Sequence, residues 1–160
     1  MLLLDTDIAS AFAKAGHFKL LLRLFERPGI TPAVYEELLP PLEHGYNYPR
    51  DIFESVELVT LTDEEQRAYL KLRSSGLRLG KGELESICAC LNRDFLFSSL
   101  DKRALVEARD RGVKIVTAGA IFQGLLVRGI VTKEEILSVV RAIELADNRI
   151  LDINNFLPKT

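Results

Sequence analysis

Tryptophan is absent from the 160 residues, methionine occurs once, and only two cysteines are present, Cys88 and Cys90. Cysteines two positions apart project about 200° apart around a helix, so these two cannot bond to each other there. Neither a disulfide framework nor a cysteine-rich zinc site can be built from them, and they read as small apolar residues in a reducing compartment. Glycine and proline together fill only sixteen positions, which excludes a collagen-like or low-complexity chain. No apolar run approaches the roughly 20 residues that span a bilayer. The opening MLLLDTD has no basic stretch before its apolar residues, so neither a signal peptide nor a membrane anchor is expected, and the expected location is the cytoplasm. An excess of one charge is also missing: 21 Lys/Arg against 23 Asp/Glu leave −2, which excludes a basic protein that coats nucleic acid. The balance is uneven along the chain, Arg67 to Lys114 holding eleven Lys/Arg against six Asp/Glu.

What is present is a globular composition, 48% hydrophobic, with no abrupt compositional break, as suits a single domain over residues 1–160. Leu2-Leu3-Leu4 is a short unalternated apolar run, the pattern of a strand covered on both faces. Helical spacing follows from Ile8 to Glu26, interrupted near Gly16. Ile30-Thr31 suits a brief strand, and Thr31-Pro32 an N-cap with proline at the first helical position, opening a helix that Pro40-Pro41 should stop near Leu39. Residues 40–51 read as irregular and Val56 to Leu61 as a strand. Thr62 with Glu65 makes a capping box for a helix to about Arg73. Leu84, Ile87, Cys88 and Leu91 form the buried stripe of a helix after Gly82. Strands at 95–97 and 113–116, helices at 102–110, 118–127 and 132–146, and an edge strand at 150–153 complete the pattern. Strands alternating with helices imply an α/β fold, a three-layer α/β/α sandwich around a parallel sheet of four or five strands.

In such a sheet, functional groups gather where strands end. Acidic residues stand at these places in four segments: Asp5 and Asp7 after the first strand, Glu36 and Glu37 in the helix after the second, Glu83 and Glu85 after Gly82, and Asp101 after the strand near Phe97. Singly, each is explained by the helix dipole, which favours an acid at a helix N-terminus by roughly 0.3–1 kcal/mol. Together they repel one another, an arrangement that a cation would neutralise. Oxygen ligands without cysteine or clustered histidine select Mg²⁺ or Mn²⁺. Metal-assisted attack of water on a phosphodiester is the chemistry such a site suits.

The segments LLLDTD, ITPAVYEEL, GELESICACL and FSSLDKRA, in this order and spacing, resemble the PIN-domain family, the metal-dependent ribonucleases that include the VapC-type toxins. GELES together with the ending VKIVTAGAIFQGLLVRGIVTKEE is similar to a prokaryotic subgroup of uncharacterised PIN proteins with a G-E-x-E signature. Carried over by position, the resemblance implies Asp5, Glu37, Glu83 and Asp101 as the acidic catalytic and metal-binding residues, with Thr6 and Ser99 as supporting hydroxyls. Glu37 precedes Leu as the motif asks, whereas Glu36 faces solvent. The departure is at the third acid, where Glu83 and Glu85 stand in place of one aspartate; the spacing to Cys-Ala-Cys-Leu favours Glu83, with Glu85 second.

The resemblance implies an endoribonuclease using Mg²⁺ or Mn²⁺, often a homodimer and in some members the toxin paired with an antitoxin protein. Lys81, Lys102 and Arg103 are the basic residues nearest the site for RNA phosphates, although each equally suits solvated surface. Tyr46 and Tyr48 suit base stacking, a subunit interface or loop packing alike. His17 and His44 lack partner spacing and read as surface. Three rivals remain. LLLDTD is also similar to the first motif of HAD-type phosphatases, with Asp5 as nucleophile and Asp7 as general acid, but Ala9 departs from that pattern and no later acidic pair follows Asp101. A receiver domain lacks its adjacent acidic pair. The third rival is a non-catalytic PIN-like module that binds RNA or protein.

Overall fold

The computed structural model describes residues 1–151. Its strands are short: β1 Leu2–Leu4, β2 Pro28–Ile30, β3 Glu57–Leu58, β4 Leu96–Ser98 and β5 Lys114–Ile115. They pair in the order β3-β2-β1-β4-β5, every pair parallel. Parallel neighbours need long crossovers, and helices supply them. These are α1 Thr6–Lys14, α2 Phe18–Leu24, α3 Pro32–Glu43, α4 Tyr48–Phe53, α5 Asp63–Ser74, α6 Lys81–Arg93, α7 Lys102–Asp110, α8 Ala118–Val127 and α9 Lys133–Asp147. Among the described residues no helix is long and apolar enough to cross a membrane.

The central strand shows why the run Leu2-Leu3-Leu4 is unalternated. Side chains alternate across a strand, and each of the three meets a helical layer: Leu2 and Leu4 pack with α1, α2, α3, α8 and α9, while Leu3 packs with α6 and α7 on the other face. The expected three-layer arrangement is therefore present, with five parallel strands. Cys88 and Cys90 are buried free thiols on α6, and burial pushes their pKa values up to about 11 and about 12, which keeps them protonated and unreactive.

Several boundaries differ from the sequence expectation for identifiable reasons. Pro40 and Pro41 do not stop α3, which runs on to Glu43. The two prolines remove the N–H groups that would reach the carbonyls of Glu36 and Glu37, but both of those residues are exposed and water can serve the freed carbonyls. Part of the segment expected to be irregular forms α4, with Pro49 in its first turn. The strand expected over 56–61 shrinks to two exposed residues at the sheet edge. Of the strand expected at 150–153, Ile150 and Leu151 are not in a strand and the rest lies outside the described residues. Thr31 occupies the N-cap of α3, yet its hydroxyl is buried without a partner among the described residues, because Glu85 reaches across from α6 and accepts the Ala33 N–H at 2.9 Å.

Two contacts fix the α3–α5–α6 side of the fold. Gly82 lets α6 approach α3: a Cβ at this position would stand 2.8 Å from Val34 Cγ2 and 3.1 and 3.2 Å from the two Glu37 carboxylate oxygens. At the far end of α6, Arg93 grips the buried Glu65 of α5 with Nε at 2.6 Å and Nη2 at 2.5 Å, and Nη2 also reaches the Thr60 carbonyl at 2.7 Å. Glu65 completes the expected capping box with Thr62. Burial acts to raise the Glu65 pKa, and the Arg93 hydrogen bonds, the Thr62 N–H and the Arg93 charge outweigh it and leave it below its ordinary 4.5.

Two stability predictions follow from these contacts. A carboxylate with a lowered folded-state pKa stabilises the fold above its ordinary value, and that stability is lost as pH falls through the lowered one. Urea denaturation should therefore show Glu65→Gln less stable than wild type by about 1–3 kcal/mol at pH 7, with the difference closing as pH falls below 4.5. Gly82→Ala should be less stable by up to about 2 kcal/mol, because overpacking of about 1–3 kcal/mol is offset by alanine's helix preference of about 1 kcal/mol.

Candidate active site

The strand order reverses between β1 and β4: the chain passes from β1 outward to β2 and β3, then returns to place β4 on the other side of β1. A reversal of this kind opens a crevice at the carboxyl ends of the two strands. Asp5 leaves β1 there, its N–H donating to the Ser98 carbonyl at 2.9 Å, and β4 leads directly into Ser99, Leu100 and Asp101. α3 and α6 close the crevice and bring Glu37 and Glu83. The result is a cavity of about 490 Å³ whose lining includes Asp5, Glu37, Glu83 and Asp101 together with Thr6 and Asp7. The four acids expected from the sequence thus face one space.

Each acid is held by hydrogen bonds, Asp5 and Asp7 sharing one donor. The Thr6 hydroxyl donates to Glu37 Oε2, and the Gly82 N–H donates to Oε1 at 3.1 Å, so the glycine that allows α3 and α6 to meet also orients the acid between them. Glu83 Oε2 accepts the Gly80 N–H at 2.7 Å. Asp101 caps α7, accepting the Arg103 N–H at 2.8 Å and Arg103 Nη2 at 3.0 Å. Ser99, 1% exposed, joins three of the acids: its Oγ accepts the Asp101 N–H at 3.0 Å and lies 3.2 Å from both Asp5 Oδ2 and Asp7 Oδ2. The single hydroxyl proton serves one of these two carboxylates at a time. Asp7 also accepts the Leu100 N–H at 3.0 Å.

The electrostatics follow from this crowding. Burial first, then the charges of Asp7 and Glu83, push the Asp5 pKa well above the ordinary carboxylate value, against the Thr6 N–H that lowers it. Glu83 is raised by burial, opposed by its hydrogen bond from Gly80 and reinforced by Asp101, Asp7 and Glu37. Asp7 is raised by burial in spite of the Leu100 N–H and the charge of Arg149. Asp101 is lowered, chiefly by the Arg103 side-chain hydrogen bond. Among the described residues no three ligating side chains already converge as a ready cage for a metal ion; the acids line one cavity while Glu37, Glu83 and Asp101 are tied to separate donors. The donor set nevertheless fits a hard divalent cation. It is all oxygen, and a cation would relieve the repulsion that raises Asp5 and Glu83.

Some expected residues lie elsewhere. Glu85, the second choice for the third acid, points to the first turn of α3 and is not in the cavity, because residues two apart on a helix diverge by about 200°. Lys81 and Lys102 are exposed first residues of α6 and α7 outside the cavity lining, and Arg103 meets the site only through Asp101. Conversely, the cavity includes Ser10, Lys14, Asp147 and Arg149, which the sequence reading did not select, and Tyr48, which it offered for base stacking, a subunit interface or loop packing. For α1 a signal existed: its polar residues Thr6, Asp7, Ser10 and Lys14 fall within an arc of about 100°, and that stripe faces the acids. Asp147 and Arg149 come from the end of α9, far along the chain, and nothing local marks them. Asp147 accepts Lys14 Nζ at 2.7 Å and Arg149 Nε at 3.1 Å, so two cations and one acid leave the rim of an acidic cavity locally positive.

Comparison with known proteins agrees with this architecture. Residues 1–152 match a family model described as a PIN domain. No curated protein matches the chain. Among solved structures, VapBC-1 from nontypeable Haemophilus influenzae is similar in fold, with a TM-score of 0.54 and 18% identity over 72% of this chain and 96% of that one. With a family model spanning nearly its whole length and a five-stranded parallel sheet that ends in a shared acidic cavity, the chain belongs to the PIN-domain family.

Proposed function

We propose that this chain, acting as one PIN-like nuclease domain, is a Mg²⁺- or Mn²⁺-dependent endoribonuclease that hydrolyses RNA phosphodiester bonds, and the toxin of a toxin–antitoxin pair. The observation that carries the reading is the cavity at the β1/β4 reversal, where Asp5, Glu37, Glu83 and Asp101 arrive from four separate segments and the Asp5 pKa is raised by burial and by its acidic neighbours. One or two such ions held by these four carboxylates would supply a bound water of lowered pKa and neutralise charge on the scissile phosphate. The chain's own residues preorganise the donors. Thr6 and the Gly82 N–H aim Glu37, the Gly80 N–H holds Glu83, and Ser99 fixes the spacing of Asp5 and Asp101. Lys14 and Arg149 on the rim bind a phosphate next to the scissile one, and Lys81, Lys102 and Arg103 serve phosphates farther out.

RNA as substrate and an antitoxin as partner are supported by the sequence resemblance to VapC-type toxins. Exposed Val127 and Leu145, on α8 and α9, offer apolar area to a second copy in a homodimer. A phosphatase using Asp5 as nucleophile is a poorer fit, since Asp5 is buried and Asp7, its general acid, is tied to Leu100 and Ser99. Four carboxylates gathered in one cavity argue against a non-catalytic module.

Purified protein with excess Mn²⁺ should cleave members of a broad RNA panel, and EDTA should stop it. Asp5→Asn should lose at least about a hundredfold in rate, and Ser99→Ala about 10- to 100-fold as a residue that positions the acids. A panel left intact by the wild-type protein in Mn²⁺ would overturn the proposal.

A further inference from the structure

Lys14 and Tyr48 form a wall of the acidic cavity, and that wall has a second side. Beyond it lies a cleft of about 790 Å³ lined by these two residues with Pro40, Pro41, His44 and Tyr46. Among the described residues no carboxylate lines it, in contrast to its neighbour, and Asn47 adds an exposed amide. The backbone that presents Tyr46 is preset. Gly45, at φ +85°, ends α3 with its N–H donating to the Leu42 carbonyl at 3.0 Å, and the Tyr46 N–H donates to the Pro41 carbonyl at 2.9 Å. This is a Schellman closure. It holds the Tyr46 ring, 63% exposed, at the mouth of the cleft. His44 Nδ1 lies 2.8 Å from the Pro40 carbonyl, which places the proton of the neutral ring on Nδ1 and leaves Nε2 as an acceptor. Lys14 Nζ stands 5.5 Å from the centre of the Tyr48 ring, at the junction of the two spaces.

An exposed aromatic face, rigid apolar walls, an amide and a ring nitrogen at the edge and a cation at the entrance match a nucleobase, which has an apolar face, a polar edge and a phosphate beside it. Continuity decides the occupant: a strand with its scissile phosphate among the acids passes Lys14 and Tyr48 if its next nucleotide leaves on that side. Resting on the ribonuclease reading above, we propose that this cleft is a base subsite, in which one unpaired nucleobase flanking the scissile phosphate stacks on Tyr46 while Lys14 contacts the phosphate between the two spaces. Recognition is by stacking, so it tolerates different bases.

The test is Mn²⁺-dependent cleavage of a single-stranded oligoribonucleotide by the full chain, with Tyr46→Ala and Tyr46→Phe as variants. The exposed position keeps the core intact. Tyr46→Ala should raise KM roughly 5- to 150-fold with kcat within about twofold, the range for loss of one stacked base, and Tyr46→Phe should stay near wild type. The same RNA carrying a single abasic nucleotide should then be scanned through positions flanking the cut. At one position wild type and Tyr46→Ala should become equal, because the partner of the ring is gone. Equal KM values on intact RNA would overturn the subsite, as would a Tyr46→Ala defect that survives every abasic position. Altered self-association with unchanged cleavage would also overturn it, making the surface a protein contact. A wild-type protein that cleaves no RNA removes the ribonuclease reading itself, an outcome distinct from the other three.

Discussion

A carboxylate buried beside other carboxylates is the constraint on which this structure turns. Asp5 sits buried at the end of the central strand, and burial and its neighbours Asp7, Glu83 and Glu37 all oppose its ionisation. A fold built only for stability would replace such a residue, since burying uncompensated charge is among the most unfavourable substitutions available. The surrounding hydrogen bonds distribute the strain instead of removing it: Thr6 and Gly82 take one acid, Gly80 another, Arg103 a third, and Ser99 links the remainder. This arrangement becomes favourable only when positive charge enters from outside.

The fold meets that constraint through topology. A parallel sheet whose order reverses beside its central strand places two strand ends at one crevice, and short strands keep both ends near it. Gly82 then draws α6 onto α3 closely enough for two helices from different crossovers to share one carboxylate. The Glu65–Arg93 pair secures the opposite end of α6. Charge is therefore compensated between Glu65 and Arg93, where it serves packing, and left crowded around Asp5 at the end of β1, a separation that net charge conceals. The value of −2 excluded a basic coat and said nothing about a cavity with an acidic floor and a positive rim.

Much of this was legible in the residues. Leu2-Leu3-Leu4 and the strand–helix alternation gave the parallel sheet, Thr62 with Glu65 gave its capping box, and Asp5 and Asp101 stood just past strand ends, with Glu37 and Glu83 on helices. What could not be read depended on contacts between distant segments. Pro40-Pro41 looks like a stop, yet the residues whose carbonyls are freed, Glu36 and Glu37, are exposed and the helix continues. Glu83 and Glu85 were ambiguous in the sequence because only the position of α3 decides which is in the cavity and which caps a helix. Lys14 was hidden on a stripe of α1 visible as an arc of polar residues, whereas Asp147 and Arg149 joined it from the end of α9 without any local sign.

Thermal melting with and without Mn²⁺ tests the central claim most directly. A carboxylate whose folded-state pKa is raised opposes folding while ionised, so in EDTA at neutral pH Asp5→Asn should melt above the wild type. With Mn²⁺ at about 100 times its dissociation constant, the wild type should gain about 2.7 kcal/mol, or about 5–10 °C for a chain of this size, and Asp5→Asn far less. A wild-type protein whose melting temperature ignores Mn²⁺ and falls when Asp5 is neutralised would contradict it.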